Sequence, residues 1–461
     1  MTRSWNGLRR ALAAVLVGSV AAATAWARLG PVARGTVWAE DGGVFFREHL
    51  ALGSLPSIVH PYAGYLHLVP RMVVDAAFLV PVPWYAVAVS AICCALTGAV
   101  CAGVFVLAAD VVPSAPLRVV LAAVPVLLPT APWEVLGNAA NLHTFALFLA
   151  PWVLSHRTRT WWGSALLGLV AVLVVGTEVQ AILFLPLLVL AWQPWRTVPR
   201  ASRLRALPVT LAALVAAAAQ LVTATTTERE SAPGDPSVRD VVTGYLLQTL
   251  GGLWRADVAA VGRSVVASGW GVLVVPAVLV AAVVVIAAVV AVRDGRPRAA
   301  VLSVVLAAGS AVVWTAALVA NASANGHWSR ADPTALVVAT PSRYAAAAGL
   351  LLSAALVVAA SVLVDRVLRR PATDGRSAAA TTRRVLLAGV GWVVVAGLVT
   401  SWVVAFPGVA QRSSGPAWRP QFTDAVAQCR REPDGAVRIE TQPWGARVPC
   451  ALVLADGQGE P

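Results

Sequence analysis

Two adjacent carboxylates, Glu40 and Asp41, lie in the segment TVWAEDGGVFFREHL, between a tryptophan and two phenylalanines. The segment follows a long apolar run and carries far more charge than its surroundings. A carboxylate at a membrane surface can accept the proton of a hydroxyl during group transfer. The alternative is that both acids belong to a solvated loop and have no chemical role. Neighbouring residues point in different directions, so one acid is expected to act as base and the other to hold the loop. The glycines after Asp41 allow close approach of a substrate and favour Asp41 over Glu40 as the base.

Cationic and aromatic side chains follow in the segment HPYAGYLHLVPRMVVD. His67 and Arg71 are four residues apart, which places them on one face of a helix, with Tyr65 upstream as a substrate contact. Arginine binds phosphate in a bidentate manner, and the later motif PSRY adds Arg343. His67, Arg71 and Arg343 are predicted to bind a phosphate group. The alternative for Arg71 is an interfacial anchor that extends to lipid headgroups.

A third group of polar residues surrounds the motif WEVLGNAANLHTF, and a carboxylate lies in GTEVQ between two apolar runs. If the first motif is helical, its acid and asparagines form one stripe at positions i, i+4 and i+7. The predicted substrate-binding residues are Glu134, Asn138, Asn141, His143 and Glu178. Hydrogen bonds between helices, or a solvated turn, are the alternative. Ionisable groups near a membrane are costly and usually functional, which favours a common site.

The elements that position these residues are membrane helices. The chain has 461 residues, of which 58% are hydrophobic and 12% are charged, and its mean hydropathy is +0.75. Soluble domains are about 25% charged. Many apolar runs approach the roughly 17–25 residues that cross a bilayer. The sequence predicts an all-α, polytopic integral membrane protein with about eleven transmembrane helices.

Arginine placement predicts the orientation. All 35 basic residues are arginine, and the segments assigned to the inside hold 19 of them with four acids. The outer segments hold 16 arginines and 18 acids. Short arginine-rich loops face the cytoplasm, so we expect a multi-pass protein of the cell membrane with a cytoplasmic N-terminus. The net charge of +13 then needs no nucleic-acid partner.

The predicted organisation is a membrane domain over residues 1–405 and a short extracytoplasmic tail over 406–461. The first outer loop, residues 28–83, carries the candidate acids. Cys429 and Cys450 lie alone in the tail, which predicts a disulfide in an exported segment. The remaining cysteines lie in an apolar run, and no cysteine spacing resembles a zinc site.

Carboxylates with arginine and histidine at an outer membrane surface suit transfer of a sugar from a lipid-linked phosphate. The cations stabilise the phosphate leaving group, and nucleotide sugars are absent outside the cell. The motifs of ATP, dinucleotide, serine-hydrolase and zinc-peptidase sites do not occur in a suitable context.

The segments WAEDG, YAGYLHLVPR and NAANLH resemble an actinobacterial branch of the GT-C superfamily of membrane glycosyltransferases. The resemblance implies a polyprenyl-phosphate sugar donor, an envelope glycan, lipid or protein acceptor, and a catalytic acid at Glu40 or Asp41. Some branches need a divalent cation, and the sequence leaves the metal open. The tail is shorter than the outer domain of many such enzymes.

Two other functions remain open at the level of sequence. A transporter or lipid flippase of envelope precursors would place charged or broken helices at the bilayer midplane. A non-catalytic envelope assembly protein would tolerate neutral substitutions at Glu40 and Asp41.

Overall fold

The computed structural model describes residues 2–193, 200–229, 231–368 and 378–456. Twelve of the described helices are apolar and at least ten residues long, and one of them is Val258–Ser268. The other eleven are numbered in chain order. They are α1 (Thr2–Arg34), α2 (Tyr85–Leu107), α3 (Ala115–Leu127), α4 (Leu142–Ser155), α5 (Trp161–Val175), α6 (Val179–Trp192), α7 (Leu207–Thr226), α8 (Gly271–Arg293), α9 (Pro297–Ala320), α10 (Arg343–Leu368) and α11 (Ala378–Val404).

Seven of the described helices are long and apolar enough to cross a membrane, namely α1, α2, α7, α8, α9, α10 and α11. The chain is therefore an all-α membrane protein, as the sequence predicts at this coarse level. Helices α3 to α6 are shorter. Proline interrupts α3 and α4, and α6 begins with 3₁₀ geometry, which is typical where packing overrides ideal helix geometry. A total of eleven spans stays a prediction.

Helix α10 lies at the centre of the bundle. Residues 345–365 of this helix are all buried by its neighbours. Alanine and glycine dominate its first half, and small residues let helix backbones approach closely in a membrane. A Cβ atom added at Gly391 of α11 would lie 2.9 Å from the carbonyl oxygen of Ala360. This central, close-packed helix presents Arg343 at its first residue.

The bundle has two chemically different ends. At the arginine end, where α2 finishes and α9 begins, Arg366 pairs with Asp294 at 2.7 Å and Arg296 donates to the carbonyl oxygen of Val111 at 2.8 Å. The site end is the opposite one, where α1 finishes and α10 begins. Two arginine-bearing segments that the sequence assigns to the inside, residues 194–199 and 369–377, lie outside the described residues.

The segment predicted as the first outer loop is mostly helical. A π-helical turn, Asp41–Phe46, continues into Arg47–Leu52, and two further helices follow at Ser54–Val59 and Leu68–Ala77. Phe46 is fully buried, with its ring centroid 5.0 Å from that of Tyr85 and 6.0 Å from that of Trp418. These aromatic contacts fix the segment on the bundle instead of leaving it as a loop.

Other short helices complete the site end. They are Ala131–Glu134, Val238–Gly244, the π-helical Tyr245–Leu250, Gly251–Trp254, Val258–Ser268 and Pro333–Leu336.

The C-terminal tail is a small folded unit that the sequence did not predict. It contains helices Phe422–Cys429 and Cys450–Asp456 and an antiparallel hairpin of β1 (Ala436–Glu440) and β2 (Gly445–Pro449), with Val437 opposite Val448. Cys429 and Cys450 form a disulfide. The hairpin turn contacts the segment that follows α1, where the amide of Ala39 donates to the carbonyl oxygen of Gln442 at 2.8 Å.

Candidate active site

A polar cavity of about 260 Å³ lies at the site end. It is enclosed by the segment after α1, the first turns of α4 and α10, the start of α6, and the last turns of α9. Its ionisable and polar lining residues include Glu40, Tyr62, Tyr65, His67, Asn141, His143, Glu178, Arg229, Asn321, Arg343 and Tyr344. Residues that are distant in sequence are thus brought into one small volume.

Glu40 faces this cavity and contacts Arg343. One Glu40 oxygen, Oε1, lies 3.5 Å from Nη1 of Arg343, and the same nitrogen lies 3.3 Å from Oε1 of Glu134. The other Glu40 oxygen is buried without a hydrogen-bond partner among the described residues. Burial raises the pKa of Glu134, and the charge of Arg343 opposes that shift. One guanidinium therefore serves two carboxylates, which leaves acceptor capacity unused at Glu40.

Asp41 does not line the cavity. Its side chain is 0% exposed and accepts hydrogen bonds from the amides of Ala139 at 2.9 Å and Ala140 at 2.8 Å. Burial raises the pKa of Asp41 to about 7, against the lowering effect of those amides and of Arg412. Asp41 thus fixes the turn that precedes α4.

The turn before α4 replaces the continuous helix that the sequence suggested. The helix Ala131–Glu134 ends early, and α4 begins only at Leu142. Between them Gly137 adopts a φ of 72°, which residues with a side chain rarely adopt. Asn138 accepts from the amide of Asn141 at 2.9 Å, which stabilises the turn. The expected stripe of Glu134, Asn138 and Asn141 is therefore wrong, and of these three only Asn141 lines the cavity.

His143 and Glu178 form the closest acid–imidazole contact in the cavity. Nδ1 of His143 lies 2.5 Å from Oε2 of Glu178, whose Oε1 accepts from the amide of Gln180 at 2.8 Å. The pair results from the first turn of α4 meeting the residue that precedes α6. A carboxylate that accepts from Nδ1–H leaves Nε2 of the neutral ring as a proton acceptor. The sequence named both residues but gave no sign of their contact.

His67 and Arg71 lie one helical turn apart, and both side chains contact Phe45, but only His67 lines the cavity. His67 precedes the helix Leu68–Ala77, lines the cavity and is 4% exposed. Burial lowers its pKa well below the ordinary value, so the ring is neutral. Arg71 points elsewhere, with Nη2 2.7 Å from Oε2 of Glu48 and the guanidinium 4.8 Å from the Phe45 ring centroid. Of His67 and Arg71, only His67 is placed to contact a ligand in the cavity.

Arg229 is a lining residue that sequence reasoning missed. Its Nη2 donates to Oδ1 of Asn321 at 3.0 Å, and its Nε donates to Oγ of Ser231 at 2.7 Å. The side-chain stem lies over Gly64, whose φ is 84° and which has no Cβ to obstruct it. No periodic pattern marks Arg229, because a loop residue reaches the cavity only through the tertiary fold.

The ring of Tyr65 packs against that of His67 at an interplanar angle of 33°, with the two ring centroids 4.0 Å apart. Among the residues that the structure describes, no three His, Cys, Asp or Glu side chains lie close enough together to hold a metal ion.

No family model, no curated protein and no solved structure matches this chain.

Proposed function

We propose that the chain is a membrane glycosyltransferase that transfers a sugar from a polyprenyl-phosphate donor to an envelope glycan, lipid or protein. The observation that carries the proposal is the joint lining of one cavity by Glu40, Arg343 and the His143–Glu178 pair. A carboxylate base, a permanent cation and an oriented imidazole lie within about 260 Å³. This combination suits a reaction in which an alcohol attacks and a phosphate leaves.

In the proposed reaction, the acceptor oxygen forms a bond to the anomeric carbon of the donor while the bond from that carbon to the phosphate oxygen breaks. The acceptor proton passes to Glu40. The electron pair of the broken bond stays on the polyprenyl phosphate, whose charge is balanced by Arg343 and Arg229. Hydrogen bonds donated by Tyr65 and Asn141, and one accepted by Nε2 of His143 from a sugar hydroxyl, orient the sugar.

Because Arg343 contacts two carboxylates, binding of the donor to Arg343 is proposed to activate Glu40 as a base. Arg343 contacts both Glu40 and Glu134. A phosphate group binds a guanidinium in bidentate fashion, so the donor competes with Glu40 for Nη1 of Arg343. Release from Arg343 makes the Glu40 carboxylate a better proton acceptor at the moment when the donor is in place.

The geometry favours Glu40 over Asp41 as the base, which reverses the preference drawn from the sequence. Asp41 is enclosed and occupied by two backbone amides, whereas Glu40 lines the cavity. The adjacent acids then have the two different tasks that the sequence anticipated, with the residues exchanged.

The experiment is sugar transfer in proteoliposomes, with radiolabelled polyprenyl-phosphate hexoses and pentoses as donors. Removing a general base lowers rates by about 10²–10⁴-fold, so Glu40→Gln is expected to lose transfer while it still inserts and binds donor. The control is Glu432→Gln, an exposed acid in the tail, which should keep the wild-type rate. Wild-type transfer by Glu40→Gln contradicts the proposal, and donor movement across the bilayer without transfer indicates a flippase.

A further inference from the structure

The segment between α1 and α2 carries an exposed apolar surface at the site end of the bundle, which is termed the site-end patch. It consists of Leu52, Leu55, Val59, Met72, Leu79 and Val80. Leu79 is 87% exposed and Leu55 is 77% exposed. Single exposed apolar residues are ordinary on a protein surface, whereas a contiguous group of them marks contact with a partner or with lipid.

The members of the patch are held together by contact between two of the short helices before α2. Ser54, at the start of the first of these helices, donates a hydrogen bond to Oδ1 of Asp75 in the second. Leu55 directly follows Ser54, and Leu79 lies four residues after Asp75. The exposed apolar side chains of the two helices therefore belong to one surface.

The helix Ser54–Val59 has the opposite polarity to a helix that faces water. Ser57 is only 3% exposed, and its hydroxyl donates to the carbonyl oxygen of Ser54 at 2.8 Å. Leu55 and Val59 face outward instead. Apolar side chains are normally the buried ones in a protein surrounded by water. A buried serine beside exposed leucine and valine is expected where the outer face of the helix contacts hydrocarbon.

The neighbouring helix gives the level of the patch relative to the bilayer. The apolar stretch of membrane length that includes α2 begins at Val82, three residues after Leu79. Three residues extend over about 10 Å at most, so Leu79 lies within that distance of the end of a membrane span. The patch is therefore continuous with a surface that contacts lipid.

We propose that the site-end patch inserts into the leaflet at the site end, so that the segment between α1 and α2 lies in the membrane surface and not in water. Its partner is the acyl-chain region just below the phospholipid headgroups, where interfacial helices bury their apolar faces. A second copy of the chain is the alternative occupant, and the continuity of the patch with a membrane span favours lipid. Insertion of the patch is independent of the proposed sugar transfer.

Insertion has a consequence for the position of the cavity. Tyr62, Tyr65 and His67 line the cavity, and they lie between the two short helices that carry the patch. These residues are therefore held at the level of the phospholipid headgroups, where a lipid-linked ligand carries its polar part.

The test attaches the environment-sensitive fluorophore nitrobenzoxadiazole to single added cysteines of the full-length protein in phosphatidylcholine vesicles. Leu55→Cys and Leu79→Cys replace exposed side chains, and the native cysteines are buried or form the disulfide. The fluorophore at either position should emit at a shorter wavelength than in water and be quenched by a doxyl-labelled phospholipid. Val278→Cys, at an exposed position of α8, is the membrane reference and should behave in the same way.

The water reference is Asp235→Cys, at an exposed position of the site end. Aqueous iodide should quench the fluorophore there, and the doxyl-labelled lipid should not. Iodide quenching at positions 55 and 79 is expected to be several-fold weaker than at position 235.

A second variant separates insertion of the patch from insertion of the fluorophore alone. Leu55→Glu, in the protein labelled at position 79, places a charge in the patch, and a charge near the hydrocarbon is costly. This change should increase iodide quenching at position 79. The matched control is Val242→Glu, another exposed apolar position at the site end but outside the patch, which should leave the quenching unchanged.

Three results overturn the proposal. Iodide quenching at positions 55 and 79 that equals the quenching at 235 places the patch in water. Resistance to both quenchers means that protein, such as a second copy of the chain, covers the patch. Unchanged quenching after Leu55→Glu means that the apolar side chains do not hold the segment in the leaflet.

Discussion

Glu40 and Asp41 are consecutive in the chain, yet their carboxylates occupy different surroundings. Glu40 keeps one oxygen without a partner beside the cavity, whereas both oxygens of Asp41 accept backbone amides. The π-helical turn that starts at Asp41 sends the two side chains in different directions. Sequence composition alone could not assign the roles, because the amides that Asp41 binds are almost 100 residues away (98 and 99 positions).

Asp41 should give the protein a pH-dependent stability. Its folded-state pKa of about 7 lies above the ordinary value of 3.8. Between these values the folded state keeps a proton that the unfolded state has lost, so stability falls as pH rises towards 7. Asp41→Asn removes this dependence, and it costs about 1–3 kcal/mol at low pH because one amide loses its acceptor.

The measurement for Asp41 is the melting temperature in detergent from about pH 5 to pH 8. The wild type should lose stability relative to Asp41→Asn over this range. Asp235→Asn, at an exposed position of the same end, should follow the wild type. Parallel curves for all three proteins would show that Asp41 does not titrate with a raised pKa.

Arg71 is expected to act on stability and not on donor binding. Its ion pair with Glu48 joins a nearly enclosed guanidinium to a carboxylate that is 18% exposed. Removing one partner of a buried pair costs about 3–5 kcal/mol, and the exposure of Glu48 places Arg71→Ala near the lower value. Arg71→Lys keeps the charge and should lose less. Wild-type melting with weakened donor binding would instead restore the phosphate-binding role predicted from the sequence.

At the scale of elements, the site depends on contact between the tail and the segment after α1, which carries Glu40. The hairpin turn pairs with Val37 and Ala39, and buried Arg412 donates to the carbonyl oxygens of Gly137 at 2.6 Å and Leu136 at 3.2 Å. The tail therefore supports both the segment that carries Glu40 and the turn that Asp41 caps.

Gly42→Ala tests this contact between elements. A Cβ at Gly42 would lie 2.8 Å from Cγ2 of Thr441 and 3.0 Å from Cγ1 of Val37, so the hairpin must move. Overpacking of this kind costs about 1–3 kcal/mol, and displacement of Glu40 should lower transfer as well. The measurements are melting temperature and transfer rate.

The control for Gly42 is Gly389→Ala in α11, where an added Cβ meets no atom within 4 Å. That change should leave transfer unaltered and raise stability by about 0.5–1 kcal/mol, since alanine is the better helix former. If Gly42→Ala and Gly389→Ala had the same melting temperature and the same transfer rate, the tail would not influence the cavity.

The sequence predicted the helices whose position is set by hydropathy. It did not predict the turns and helix ends that depend on tertiary contacts. Long apolar runs such as Gly271–Arg293 identify a membrane helix directly. The turn at Gly137 and the break between His67 and Leu68 depend on contacts with other parts of the chain. The same holds for Arg229, whose position beside Gly64 no local pattern encodes. The sequence named seven of the residues that line the cavity, but it did not predict their contacts.

At the scale of the whole molecule, the unequal charge of the two ends predicts the orientation in the membrane. Short arginine-rich loops stay in the cytoplasm, so we expect the arginine end inside and the site end outside. Asp235→Cys and Arg293→Cys place exposed thiols at opposite ends. A membrane-impermeant maleimide should label position 235 in intact cells and position 293 only after permeabilisation.

The native cysteines do not interfere with this labelling, because three are buried and two form the disulfide. Labelling of position 293 but not of 235 in intact cells would invert the topology. The cavity would then face the cytoplasm, where nucleotide sugars are available, and the argument for a lipid-linked donor would fail.

The hydrogen bond from Arg412 to the carbonyl oxygen of Thr36 joins residues 376 positions apart. At about 5–20 residues per second, a ribosome needs roughly 20–75 s to travel between them. Throughout that interval the segment carrying Glu40 has already emerged but has no hairpin to cover it, and α11 must insert before the hairpin can arrive. The segment that carries Glu40 is therefore held by the hairpin only after the hairpin has been synthesised.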